Sequence, residues 1–110
     1  MKITLSLSNE GIMIITSALQ PVYKSTPLTR REKSTLSIAL DVLNKLESKL
    51  GSVKMKANLF DFKKKVKFTL KHHEADMLEL LLLDQIKYAN EIYIKQQLQK
   101  TINDLNQKLV

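Results

Sequence analysis

Polar and apolar residues alternate over the first seven positions of the chain, with Ile3, Leu5 and Leu7 set between Lys2, Thr4 and Ser6. A period of two predicts a β-strand with one apolar and one polar face. The same alternation returns at Val66, Phe68 and Leu70 between Lys67, Thr69 and Lys71, and predicts a second strand whose polar face is basic. After each strand the period lengthens. Ile12, Met13, Ile15, Ala18 and Leu19 predict a helix behind Ser8, whose hydroxyl suits an N-cap. Its counterpart is expected to start near His73, with Glu74 and Asp76 in a first turn where carboxylates complement the helix dipole. Both helices should stop near a glutamine, Gln20 or Gln85. Pro21 and Pro27 punctuate the first connection. Thr29 and Glu32 then form a capping box that opens a long helix along Leu36, Leu40, Leu43, Leu46 and Leu50, with Gly51 as its end. The last helix carries Ile94, Leu98, Ile102, Leu105 and Leu109 on one stripe.

Two stretches have weaker patterns. Val53, Met55 and Ala57 alternate with Lys54 and Lys56, which predicts a third strand at 53–57, a turn around Asn58 to Lys64, and an antiparallel return along 66–71. Between Asp84 and Ile94 there is neither proline nor glycine. Either Asn90 caps a new helix, or the third and fourth helices fuse into a rod of about 36 residues and ~54 Å.

The pattern repeats. Residues 1–20 align on 66–85 without a gap, placing Lys2 on Lys67, Thr4 on Thr69, Leu5 on Leu70 and Gln20 on Gln85. A second block follows in the same order, with Asn44, Leu46, Lys49 and Leu50 falling on Asn103, Leu105, Lys108 and Leu109. Two ordered blocks favour a duplicated strand-helix-helix unit, 1–50 and 66–110, joined by a basic segment, 51–65. Two copies make a pseudo-twofold domain and not a solenoid.

At 110 residues the chain is long enough for a single domain, 1–110. With 44% hydrophobic and 26% charged residues it is expected to fold as a globular protein. No apolar run approaches the ~18 residues of a membrane-spanning helix, and no basic stretch precedes the first apolar one. A cytoplasmic protein is the expectation. The absence of cysteine excludes disulfides, thiolate metal ligands and a cysteine nucleophile. The net charge of +7 is concentrated: residues 51–71 hold Lys54, Lys56, Lys63, Lys64, Lys65, Lys67 and Lys71 against Asp61 alone, a net of +6. Such a segment either guards an exposed strand edge against aggregation or contacts an anion.

No catalytic constellation accompanies this charge. There is no glycine-rich phosphate loop and no nucleophile elbow. His72 and His73 adjoin Glu74 and Asp76, but adjacent residues at a strand-to-helix junction point apart, so neither a metal nor another cofactor is expected. Lys2, Thr4, Lys54, Lys56, Lys67, Thr69 and Lys71 make up the polar face of the expected sheet, with no aromatic ring on which a base could stack. Nucleic-acid contact, if made, would be to phosphates. Arg30 and Arg31 stand at a helix start, an unfavourable place for a cation, and read as a solvated helix end. Leu80 to Leu83 surround the third helix with apolar side chains, so the helix is either central or covered by a second copy.

The sequence therefore predicts an α/β (α+β) two-layer fold, a small antiparallel sheet packed on one face against helices. The expected function is that of a non-enzymatic accessory protein that binds and modulates a macromolecular partner, first a protein. A homodimer is expected, with Leu81, Leu82, Ile94 and Leu98 as the dimer or partner surface. The alternative is a sequence-nonspecific nucleic-acid binder using the lysine face. No membrane partner is expected. The lysine- and asparagine-rich composition is similar to that of accessory proteins of low-GC Gram-positive bacteria and their phages, and no motif narrows it to a family.

Overall fold

The computed structural model describes residues 1–56 and 65–110, and of 52–56 the backbone only. Strand β1 (Lys2–Ser8) leads into helix α1 (Asn9–Ala18), a 3-10 helix (Gln20–Lys24) and helix α2 (Arg30–Lys56). Strand β2 (Lys65–Lys71) leads into α3 (His72–Gln85), a short 3-10 helix (Ile86–Tyr88) and α4 (Ile92–Leu109). The order strand, helix, 3-10 helix, helix thus occurs twice. The strands pair antiparallel in a two-stranded sheet, with Lys2 opposite Lys71, Thr4 opposite Thr69 and Ser8 opposite Lys65.

The alternation along the strands has the expected consequence. Ile3, Leu5, Leu7, Phe68 and Leu70 are buried, while Lys2, Thr4, Ser6, Lys65, Lys67, Thr69 and Lys71 are exposed. The apolar side chains join a single core with Ile12, Ile15 and Leu19 from α1, Val42, Leu43 and Leu46 from α2, Leu78 and Leu82 from α3, and Leu98, Ile102 and Leu105 from α4. Helix starts follow local chemistry. The Gly11 N–H donates to Ser8 Oγ at 2.9 Å. The Glu32 N–H donates to Thr29 Oγ1, and the N–H groups of Leu28 and Thr29 donate back to Glu32 Oε2, so donors that no helical carbonyl satisfies find side-chain partners. Pro21 sits in the first turn of its 3-10 helix, where a missing N–H leaves no hydrogen bond unmade.

Two expectations need correction, and one alternative that the sequence leaves open is decided. The third strand is absent: Val53 and Met55 belong to the end of α2, which runs to Lys56, and the sheet among the described residues has two strands. Leu43, Leu46, Leu50 and Val53 continue a spacing of three and four, and this longer pattern prevails over a five-residue alternation. The turn expected around Asn58 to Lys64 lies outside the described residues, as does Ala57. Gly51 does not end the helix: α2 runs on to Lys56, and the Gly51 backbone is not left-handed. Of the two alternatives after Asp84, a separate helix forms and not the fused rod. The chain turns through Ile86–Tyr88, Ala89 is extended, and α4 starts after Glu91, not after an Asn90 cap. Folding α4 back buries Leu98, Ile102 and Leu105, a gain that a protruding rod would forgo.

Candidate nucleic-acid interface

The exposed face of the two-stranded ribbon is built by period two and by register. Alternation turns Lys2, Thr4 and Ser6 outward on β1 and Lys65, Lys67, Thr69 and Lys71 outward on β2. Antiparallel pairing then sets Lys2 opposite Lys71, Thr4 opposite Thr69, Ser6 opposite Lys67 and Ser8 opposite Lys65. Neither strand contains an acidic residue. At the centre Thr4 and Thr69 bond through their hydroxyl oxygens at 3.1 Å. Like charges directly opposite one another destabilise a sheet, so the Lys2 and Lys71 pair is a place where an anion would be favourable.

Helices flank the ribbon. A cleft of about 650 Å³ lies beside β2, where Asn44, Lys45, Ser48 and Lys49 of α2 meet Lys67 and Thr69. A second cleft, about 410 Å³, is lined by Ser6, Ser8 and Lys65 together with Lys100, Asp104 and Lys108 among other residues of α4. Lys108 Nζ donates to the backbone oxygen of Thr4 at 2.6 Å and lies 3.6 Å from Asp104. Lys45 Nζ is held 2.7 Å from Glu74 Oε1, which also accepts the Lys71 N–H at 2.8 Å. Burial by itself pushes the Glu74 carboxyl up. The Lys45 ammonium, the Lys71 N–H and the nearby His73 outweigh it and hold the group below the usual carboxylate range. The pair thereby ties α2 to the start of α3.

Of the lysines expected to contact an anion, Lys65, Lys67 and Lys71 come together on β2. Lys54 and Lys56 lie at the end of α2 and not on a neighbouring strand, while Lys63 and Lys64 lie outside the described residues. Lys2 joins the face through the pairing register, and Lys49, Lys100 and Lys108 adjoin it. Lys2 had been legible as a polar-face residue, but only the register makes it a partner of Lys71.

The expected dimer surface is divided differently. Leu82 and Leu98 are buried in the core of the single chain, and Leu81 and Ile94 are partly buried against it. The third helix instead leaves Leu80 and Leu83 exposed, by 53% and 43%. His72 and His73 are exposed, and the His72 backbone N–H donates to the Met1 oxygen across the end of the ribbon. Among the described residues no group of three or more His, Asp or Glu is placed to hold a metal ion, and no helix is long and apolar enough to cross a membrane. No protein-family model, curated protein or solved structure matches the chain.

Proposed function

We propose that this protein is a small non-enzymatic accessory protein that binds nucleic acid through phosphate contacts at the lysine ribbon. One observation carries the reading: Lys2, Lys65, Lys67 and Lys71 emerge on one exposed face of strands that contain no acid. A cationic surface of this kind neutralises phosphates and releases their counterions, which is the sequence-independent part of nucleic-acid affinity. Among the described residues no aromatic side chain shares the face, which supports phosphate contact over base stacking as the source of binding. Fluorescence anisotropy with labelled oligonucleotides tests the reading. The unmodified protein should bind at low salt, and the variant carrying Lys→Gln at 2, 65, 67 and 71 should not. Absence of binding by the unmodified protein would overturn it.

The strand-helix-helix unit is, in this reading, duplicated. The doubled element order supports it, as does the recurrence of aligned positions beside the ribbon: Asn44, Lys45, Ser48 and Lys49 line one cleft, and Asn103, Asp104, Gln107 and Lys108 line the other.

A second reading, a protein partner or a second copy of the chain, is favoured by the exposure of Leu80 and Leu83, one turn apart on α3. Sedimentation equilibrium of the unmodified protein and of Leu80→Glu/Leu83→Glu tests it. A monomer in both cases would exclude the homodimer.

A further inference from the structure

We propose that the nucleic acid is double-stranded DNA, and that the ribbon lies across its major groove with the Thr4–Thr69 pair on a local dyad. The proposal rests on the phosphate-binding reading above and assigns its ligand. The repeat relates each residue of β1 to the residue 65 positions later, while the antiparallel register pairs Lys2 with Lys71, Thr4 with Thr69 and Ser6 with Lys67. Only at Thr4 do the two relations coincide, so a pseudo-twofold axis through the ribbon passes between the two threonines. Duplex DNA has a dyad between its antiparallel backbones, and a twofold protein surface can offer both backbones equivalent groups. A single strand has one polarity and offers no such match.

The charge follows this plan in part: Lys2 and Lys67 are counterparts under the axis, while Lys71 falls on Ser6 and Lys65 on no residue of β1. Lys2 and Lys71 face each other at one end of the ribbon, and Lys67, with Lys65 beyond it, occupies the other. Ser6, the partner of Lys67, lies four residue steps along the strand from Lys2, which at about 3.3 Å per step is ~13 Å. That separation is comparable with the ~12 Å width of the major groove of B-DNA. The two cationic ends can therefore reach opposite backbones while the uncharged threonine pair lies over the groove, where hydroxyls can bond to base edges or phosphates. A-form RNA has a deep, narrow major groove that does not admit a ribbon in this way. Single-strand binders commonly add stacking rings, and the described residues of the face offer none.

The test is anisotropy at low salt with a short DNA duplex, each of its separate strands, and the RNA duplex of the same sequence. DNA duplex should bind at least about tenfold more tightly than the other three, a difference of about 1.4 kcal/mol. Lys2→Gln and Lys67→Gln, which alter counterpart positions, should weaken duplex binding by similar factors, with circular dichroism verifying the fold of each. Equal or tighter binding to a single strand or to duplex RNA would overturn the DNA assignment and leave phosphate binding standing. Unequal losses from the two variants would overturn the dyad placement. Binding to none of the four would remove both this inference and the function on which it rests.

Discussion

Lys45 on α2 and Glu74 on α3 are joined by an ion pair of 2.7 Å whose acidic member is almost wholly buried and whose basic member remains partly open to solvent. The same Glu74 oxygen receives the Lys71 backbone N–H, so one carboxylate ties a long helix to the end of the ribbon and to the start of α3. Glu74→Gln keeps the shape and removes the charge. It should cost about 1.5–3 kcal/mol, the range for hydrogen bonds to a charged group, measured by urea denaturation at neutral pH.

The pH dependence follows from the direction of the Glu74 shift. Its carboxyl titrates below its ordinary range in the folded protein, so the unfolded chain binds the proton more readily. The stabilisation is complete above the unfolded value and is lost as pH falls through the folded one. Denaturation midpoints across acidic pH should decline for the unmodified protein and decline less for Glu74→Gln. Parallel curves would show that other groups dominate acid unfolding.

Gly51 gives a prediction of opposite sign. It lies within α2 without a left-handed backbone, and among the described residues an added Cβ would meet no atom within 4 Å outside the helix's own backbone and its chain neighbours. Gly51→Ala should therefore stabilise the protein by about 0.5–1 kcal/mol, because alanine loses less backbone freedom on entering a helix. A lower thermal midpoint would contradict the continuation of α2 through this position.

Lys71→Glu should separate stability from binding. Lys71 lies directly opposite Lys2, and reversing its charge replaces a cross-strand repulsion by an attraction. The thermal midpoint should rise while nucleic-acid affinity falls. A fall in both would mean that Lys71 serves the fold and not the ligand.

Much of the fold was legible because its instructions are local. Ser8 and Thr29 identify helix starts through hydroxyls that their own neighbours use, and the alternation of Ile3, Leu5 and Leu7 fixes the buried side of β1. The failures came where local patterns compete or tertiary packing decides. Val53 and Met55 fit a strand over five residues and a helix over a longer window. The stop of α3 at Gln85 was legible, but with no proline or glycine beyond it a fused rod stayed open as an alternative, and it is the burial of Leu98, Ile102 and Leu105 that brings α4 back on the core. Four consecutive leucines likewise cannot say which of them faces inward, so Leu82 was expected at a surface and lies in the core. For the candidate interface, the β2 lysines were visible as a charge run, but the alignment of Lys2 with Lys71 required the register of two strands distant in sequence.

The most direct test of the lysine ribbon as a phosphate-binding surface is the salt dependence of affinity for duplex DNA. Each neutralised phosphate contributes a slope of about −0.9 in log K against log salt, so four lysines should give about −3.6. The variant with Lys2, Lys65, Lys67 and Lys71 changed to Gln should keep its fold, since exposed substitutions usually change stability by under ~0.5 kcal/mol each, and should lose most of both affinity and slope. Binding that does not weaken with salt, or a slope unchanged in the four-lysine variant, would contradict the account.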